Sequence, residues 1–454
     1  MIRGQFDIVL AVLVALCLLL GGASAAGFLG NFLLQFLAIG LIIFGIIAMR
    51  GNKNMAPQPA LAWVAGLFVL IALLQFIPLA PGLWSSLPGH QFIANGFEIL
   101  GIDPPWLPLS LAAYNSLASL MWLLPALGVM FFASRLLDLR AEIVAAVICT
   151  IAVISIPIAG MQVIGGGANE WYFYTRSGFG QGTGFFANGN HQATFLLIAL
   201  PMLSALFATM RTRLTAGSAA LRLFFAGIAL VLIIGIVLTG SMAGIGLLLV
   251  VIPASLFLIR NQAQLPSLPI LAGAVLAGIV AVLALTNLGI TQAGTALEAS
   301  GPMSRSDINA QTLKAAWEFF PTGSGIGTFG DIYRMFEAPE GVTATFINHA
   351  HNDYLEIALE TGLLGIITTA LFIIWFVRRA LVLWTSDRQN YFALAATIAI
   401  GVTLVHSMVD YPLRTAAISV LFGLSTALMM RPTALWSDRN KSRTRRASKT
   451  KIKL

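Results

Sequence analysis

Long apolar runs alternate with short polar breaks along almost the whole chain. Most runs hold enough residues to cross a hydrocarbon core of about 30 Å, which takes roughly 20 helical residues. Because lipid offers the backbone no hydrogen-bond partners, such runs cross a membrane as helices. The pattern predicts an all-α polytopic membrane protein of about twelve transmembrane helices, near 7–23, 28–48, 60–79, 114–134, 141–162, 190–210, 223–239, 241–259, 268–288, 354–377, 390–408 and 415–430.

The polar breaks differ on the two sides of this predicted bundle. One side has short basic connections, whereas the other has three long ones, at 80–113, 163–189 and 289–353. Of the 26 Lys and Arg residues, the long-loop side holds only Arg176, Arg305, Lys314, Arg334 and Arg414. Since positive residues concentrate in the cytoplasm, both termini are expected there and the long loops on the opposite face. All five histidines fall on or beside that outer face.

Composition agrees with a membrane protein and excludes several other classes. The chain is 58% hydrophobic and only 10% charged, where a soluble domain has roughly a quarter of its residues charged. The net charge of +8 does not indicate nucleic-acid binding, because the basic residues separate apolar runs and then collect in the tail at 431–454. Cys17 and Cys149 lie inside apolar runs, so no disulfide framework or thiol metal site is expected.

The third long loop carries the most distinctive polar pattern. Ser304 and Asp307 form a capping-box pattern ahead of an amphipathic helix, which Pro321 and Gly323 should end. A glycine run follows, in which Gly325 and Gly327 belong to a formal G-x-G-x-x-G. It follows no strand and is no dinucleotide fingerprint. Its backbone N–H groups could nevertheless approach an anion such as a pyrophosphate.

The tenth predicted helix begins next to several ionisable residues. Asp353, Glu356 and Glu360 recur at i, i+3 and i+7, which makes one face of its outer end acidic. His349 and His351 precede this helix. The connection before the last helix adds His406, Asp410 and Arg414 on the same side of the membrane.

The two earlier outer loops offer weaker signals. Trp84 and Trp106 of the first loop are expected to be interfacial anchors. In the second loop, Arg176 lies among glycines, and this pattern fits an anion site and a headgroup anchor equally. His191 follows Asn188 and Asn190 at the start of a helix, which favours an asparagine N-cap.

Three kinds of chemistry compete for this outer face. A metal could bind His349, His351 and Asp353, with Asp410 as a further ligand, but the spacing is unspecific, and no metal or cofactor is predicted. A transporter generally needs ionisable groups or broken helices near the midplane, where this sequence is apolar. Group transfer from a lipid-linked substrate needs cations and a base at the membrane border, and the outer loops supply both. We therefore favour group transfer.

The motifs then carry a family resemblance. HNDYLEIALETGLLG resembles the H-N-x9-G-x-x-G signature of the O-antigen ligase and polymerase superfamily, with His351, Asn352, Gly362 and Gly365 in register. Arg305, the helix to Trp317 and the segment 321–329 are similar to its outer-loop pattern. TGFFANGNHQATFL and VHSMVDYPLRT resemble two further blocks. The resemblance suggests N-terminal helices at 1–162, a ligase-related membrane domain at 163–430 and a basic cytoplasmic tail at 431–454.

The resemblance implies a GT-C-like, metal-independent inverting glycosyltransferase of the bacterial inner membrane, with a periplasmic active site. Such an enzyme moves a glycan from undecaprenyl diphosphate to an acceptor sugar or to lipid A-core. His351 would activate the acceptor and Arg305 would bind the diphosphate. The further residues expected at the substrate are Arg176, Arg414, Asn352, His349, Asp410, Gly325 and Gly327.

One position departs from the family pattern. The family often carries a Ser-Arg pair at the outer end of a central helix, where this chain has Ser241 and Met242. Either Arg176 or Arg414 replaces the missing arginine, or the chain belongs to a polymerase branch with different phosphate contacts. Ligation, repeat-unit polymerisation and transfer to protein differ only in the acceptor, so the sequence leaves them open.

Overall fold

The computed structural model describes residues 5–24, 28–50, 59–213, 219–259, 304–337, 339, 342, 347–386 and 390–431. Within these ranges the protein is almost entirely helical. The helices are α1 (Gln5–Leu20), α2 (Leu29–Met49), α3 (Pro59–Leu74), α4 (Pro81–Ser85), α5 (Gln91–Ile99), α6 (Ala113–Arg135), α7 (Ala141–Ile164), α8 (Gly189–Arg213), α9 (Ala219–Leu238), α10 (Met242–Ile259), α11 (Arg305–Glu318), α12 (Phe329–Phe336), α13 (Asp353–Ser386), α14 (Tyr391–His406) and α15 (Ala416–Met430). Strands β1 (Pro78–Leu79) and β2 (Leu107–Pro108) pair antiparallel.

The predicted all-α membrane architecture is confirmed. A helix occupies every predicted apolar run except 268–288, which lies outside the described residues. Seven of the described helices are long and apolar enough to cross a membrane. Twelve crossings stay a prediction, because α1, α3, α14 and α15 are apolar but shorter, and the run 268–288 lies outside the described residues.

Helix α8 forms the centre of the bundle. Of its most apolar stretch 89% is buried, against 17% for α9 at the periphery. Helices α7, α9, α10 and α14 pack around α8. Small residues allow close approach: a Cβ on Gly244 of α10 would lie 2.8 Å from the Ala193 side chain of α8. Close contact through small residues is the usual way in which helices associate within lipid.

Helix α13 differs from its predicted range of 354–377. It continues to Ser386, and Arg379 near its end donates to the main-chain oxygens of Met429 and Arg431 at the end of α15. Arg379 therefore caps a neighbouring helix instead of ending its own. Helix α13 also breaks at Gly362, whose φ of 56° and ψ of −143° are not helical. Leu363 N–H instead donates to Pro321 O at 2.9 Å.

The first outer loop is a folded excursion between α3 and α6. Its Trp84 is 2% exposed and donates from Nε1 to Pro108 O at 2.9 Å, so the expectation of an interfacial anchor is wrong for this residue. Trp106 is 66% exposed, as an anchor requires. His90 is fully buried against the Trp84 ring and has no hydrogen-bond partner for either nitrogen among the described residues.

We predict that His90 makes the fold sensitive to acid. Burial lowers the pKa of His90 from 6.5 to about 4, so between these values the unfolded chain binds a proton that the folded chain does not. The free energy of unfolding is therefore not reduced by His90 above about pH 6.5, and it falls because of this residue as the pH drops towards 4. At pH 5 the loss from this group should be about 1–2 kcal/mol. His90→Phe, which keeps an aromatic ring beside Trp84, should show a smaller fall in Tm between pH 7 and pH 5 in detergent. An equal fall in both proteins would contradict this assignment.

Candidate active site

The acidic face of α13 surrounds one arginine. Arg414 Nε lies 3.4 Å from Asp353 Oδ1, and its Nη1 lies 3.4 Å from Glu356 Oε1 and 3.0 Å from Glu360 Oε2. The three carboxylates are 3% exposed or less, and the arginine side chain is 20% exposed. The spacing i, i+3, i+7 places the three acids on one side of the helix, as predicted. A short 3₁₀ turn, Pro412–Arg414, brings the arginine opposite them.

Two of these carboxylates also hold neighbouring turns. Asp353 Oδ2 accepts from Ser407 Oγ at 2.7 Å. Glu356 Oε1 lies 2.8 Å from His349 Nδ1, and its Oε2 accepts from Ala350 N–H at 3.0 Å. The ion cluster therefore connects the turn before α13 with the connection between α14 and α15.

The third carboxylate, that of Glu360, binds the glycine run. Its Oε1 accepts from Gly327 N–H at 2.8 Å. Gly325 N–H donates to the Glu360 main-chain oxygen at 2.9 Å, and Ile326 N–H donates to Gln75 Oε1 at 2.7 Å. The expectation that Gly325 and Gly327 present their N–H groups to a substrate is therefore wrong for this structure. The loop does hold an anion, but the anion is Glu360.

Glycine is required at these two positions for conformational and steric reasons. Gly325 has a φ of 119° and Gly327 a φ of 78°, which side-chain-bearing residues rarely adopt. A Cβ on Gly325 would overlap Ser110 Oγ, and one on Gly327 would overlap Ser119 Oγ. The run thus packs directly against the start of α6.

Arg414 and Asn352 both have partners within the protein, and their expected contacts with a substrate stay predictions. Burial by itself lowers the pKa of Arg414, but the charges of Glu356, Glu360 and Asp353 outweigh burial and raise the pKa above its ordinary value. Three internal carboxylates therefore already compensate this cation, which makes it a poor replacement for the missing diphosphate arginine. The side-chain oxygen of Asn352 accepts from the N–H groups of Tyr354 and Leu355 and so caps α13.

A second polar cluster is centred on Asp410. Its Oδ1 lies 3.5 Å from His351 Nδ1 and 3.9 Å from His191 Nε2. The Tyr411 ring packs against three imidazoles, with centroid distances of 4.4 Å to His349, 4.9 Å to His351 and 5.0 Å to His191. Burial opposes ionisation of Asp410, but its interactions with the histidines outweigh burial and lower its pKa below the ordinary value. Asp410 is therefore a carboxylate beside His351.

His351 has an unusual backbone conformation. Its φ of 51° lies in the left-handed region, the only such non-glycine residue among those described. Conformations of this kind cost on the order of 1–3 kcal/mol and persist where the surrounding contacts hold them. The neighbouring turn is held by Glu356 and by the Asn352 cap. The side chain remains 23% exposed, so the imidazole can reach a ligand.

Arg305 reaches the same cluster from a different segment. It is the first residue of α11, whose Ser304–Asp307 capping box is present as predicted. Its Nη1 lies 3.5 Å from Val409 O, next to Asp410. The structure thus brings the two predicted catalytic residues, His351 and Arg305, to the same loop at 407–411. Arg176 is exposed on the loop before α8, and its expected role stays a prediction.

Three members of this second cluster, His191, His406 and Tyr411, were not predicted to be site residues from the sequence. His191 and His406 are buried, and Thr194 Oγ1 lies 2.7 Å from His406 Nδ1. Tyr411 supplies the ring between the histidines. The only available signal was that all five histidines fall on the outer side of the predicted bundle. Among the described residues, no group of three or more His, Cys, Asp and Glu side chains has the geometry to hold a metal ion.

The fold and these clusters define a multi-pass helical membrane protein with a polar site at one end of its bundle. A family model described as O-antigen ligase matches residues 227–370, which confirms the resemblance to the O-antigen ligase superfamily. The matched range includes Arg305, the glycine run, His351 and the acidic face of α13. No curated protein matches the chain.

We predict that Glu360→Gln destabilises the protein. The change removes one negative charge from Arg414 and replaces the carboxylate that accepts from Gly327 N–H. The expected loss is about 1–3 kcal/mol, measured as a lower Tm in detergent. Glu318→Gln makes the same chemical change at an exposed position of α11 and should leave Tm unaltered. Equal Tm values for both variants would show that the glycine run does not depend on Glu360.

Proposed function

We propose that this protein is an inner-membrane glycosyltransferase that moves a glycan from undecaprenyl diphosphate to an acceptor sugar on the periplasmic face. The O-antigen ligase match supports a ligase or polymerase type of function in a membrane. The observation that carries the proposal is the convergence of Arg305 and His351 on the loop containing Val409 and Asp410. A cation and a base in one place are what transfer from a diphosphate requires.

His351 is the proposed general base. Its Nδ1 faces the Asp410 carboxylate, which favours the tautomer with the proton on Nδ1 and a lone pair on Nε2. Nε2 takes the proton of the acceptor hydroxyl while the acceptor oxygen attacks the anomeric carbon. The bond from that carbon to the diphosphate oxygen breaks, and undecaprenyl diphosphate leaves as an anion. Asp410 stabilises the imidazolium that forms, as a carboxylate does for a catalytic histidine.

Arg305 is the proposed diphosphate ligand. A guanidinium binds phosphate oxygens through two parallel hydrogen bonds and stays charged at any physiological pH. Its position at the start of α11 adds the positive end of the helix dipole. Arg176, on the loop before α8, is the proposed second diphosphate ligand, because three carboxylates already surround Arg414. His349, which contacts Glu356 and Tyr411, is proposed to position the site instead of binding the glycan.

The membrane placement in this proposal depends on charge distribution. The basic connections and the basic tail favour cytoplasmic termini. The polar clusters lie at the starts of α8 and α13, which follow two of the long loops, and at the end of α14. A lipid-linked donor would then enter from the bilayer while its glycan remains in the periplasm.

We predict that His351→Ala abolishes glycan transfer without lowering the amount of protein in the membrane. The imidazole is 23% exposed and, among the described residues, contacts only Asp410 and the Tyr411 ring of the second cluster, so its loss should mainly affect the proton transfer, which contributes roughly 10²–10⁴-fold to rate. The variant and the wild type should be introduced into a deletion strain and the glycans analysed. Single repeats on the lipid carrier would identify a polymerase, and accumulated long chains a ligase. Full transfer by His351→Ala would exclude His351 as the base.

A second prediction distinguishes the substrate-binding role of Arg305 from the structural role of Arg414. Arg305→Met should accumulate normally but reduce kcat/KM by roughly 10- to 100-fold, the value of one or two charge-assisted hydrogen bonds. Arg414→Met leaves three buried carboxylates without their cation and should lower the yield of folded protein. Yield can be compared by size-exclusion chromatography in detergent. A well-folded but inactive Arg414→Met would return Arg414 to the diphosphate site.

A further inference from the structure

Helix α5 has no buried residue. Phe92 is 72% exposed and Ile99 85% exposed, and the adjoining Leu100 is 70% exposed. A nine-residue helix is too short to be stable in water through its own hydrogen bonds, so it depends on an apolar face packed against something. Among the described residues of this chain, nothing covers that face.

The polar and apolar residues of α5 are segregated. Gln91, Asn95 and Glu98 recur at i, i+4 and i+7 and form a polar face. Phe92 and Ile99 recur at i and i+7 on a neighbouring face. Such segregation is typical of a helix that lies in the plane of a membrane surface.

The excursion that carries α5 begins and ends at a membrane helix. Ser110, just before α6, donates from its N–H to Gln75 O, just after α3. Strand β1 begins three residues after Gln75 and β2 ends two residues before Ser110, so the strand pair lies at most about 11 Å from this contact. Tyr114, in the first turn of α6, is 83% exposed. An aromatic residue at the end of a membrane span is typical of the lipid headgroup region.

The charges of this segment do not favour an anionic partner. Between residues 76 and 112 the charged residues are Glu98 and Asp103, with no Lys or Arg. Attachment through anionic headgroups is therefore not favoured. Ile102, 56% exposed, and Trp106, 66% exposed, extend the apolar surface beyond α5. The occupant that fits a neutral apolar surface next to a membrane span is the lipid itself.

We propose that α5 lies flat in the surface of the membrane on the side of the long loops. Phe92 and Ile99 would be inserted among the lipids, and Gln91 and Glu98 would face water. This placement also affects the candidate site. The ring of Phe319, at the end of α11, packs against His90, and a Cβ on Gly89 would overlap that ring. If α5 is fixed in the membrane, the contact with Phe319 also fixes the C-terminal end of α11, the helix whose first residue is Arg305.

Site-directed spin labelling tests this placement independently of any enzymatic activity. A full-length background with Cys17→Ala and Cys149→Ala would receive a single cysteine in place of Phe92, Ile99, Gln91 or Glu98. The labelled proteins would be reconstituted in neutral phosphatidylcholine vesicles and, separately, in vesicles containing anionic phosphatidylglycerol. Collision rates with oxygen, which concentrates in lipid, and with a water-soluble nickel chelate would then be compared.

We expect the labels at 92 and 99 to collide mainly with oxygen and the labels at 91 and 98 mainly with the nickel chelate, in both kinds of vesicle. Water access at all four positions would overturn the proposal. Shielding of 92 and 99 from both reagents would overturn it too, because a protein partner or a second copy would then cover the face. Insertion that requires anionic lipid would contradict the neutral, apolar mode. Monodisperse elution of each labelled protein confirms that the substitutions preserve the fold.

Discussion

The charge cluster around Arg414 is the constraint on which the rest of the outer end depends. Removing three carboxylates and a guanidinium from water is costly, and only close pairing with complete hydrogen bonding offsets that cost. Each of the three carboxylates places one oxygen near Arg414 and accepts a hydrogen bond from another segment with its second oxygen. The donors to the second oxygens are Ser407 Oγ, Ala350 N–H and Gly327 N–H. One helix face therefore fixes the relative positions of three loops.

That arrangement explains how the candidate catalytic residues come together. The turn that holds His351 in its left-handed conformation is tied to Glu356, and the connection that carries Asp410 is tied to Asp353 through Ser407. Apolar packing positions Arg305 instead. The apolar face of α11, which includes Ile308 and Ala315, packs into a small core with α12 and α13. Ionic and apolar contacts thus place the two residues independently.

The glycine run shows where sequence reasoning found the correct chemistry and the wrong partner. Consecutive N–H groups in left-handed and turn conformations attract an anion, as expected. The anion is the side chain of Glu360, which lies more than thirty residues further along the chain. The same holds for Arg414, a cation at the membrane border whose anions are internal. A local pattern reports which kind of group a segment needs, but a protein carboxylate and a substrate phosphate satisfy that need equally.

The sequence by itself determined the helical membrane architecture, the helix of the third outer loop with its capping box and the acidic face of α13. These features depend on apolar run length and on residue spacing within one element, which are local properties. Only the tertiary structure decided that His191 and Tyr411 lie beside His351, that Trp84 is buried while Trp106 is exposed, and that α13 breaks at Gly362. Each of these depends on which distant segment lies opposite, and spacing along one element carries no information about that.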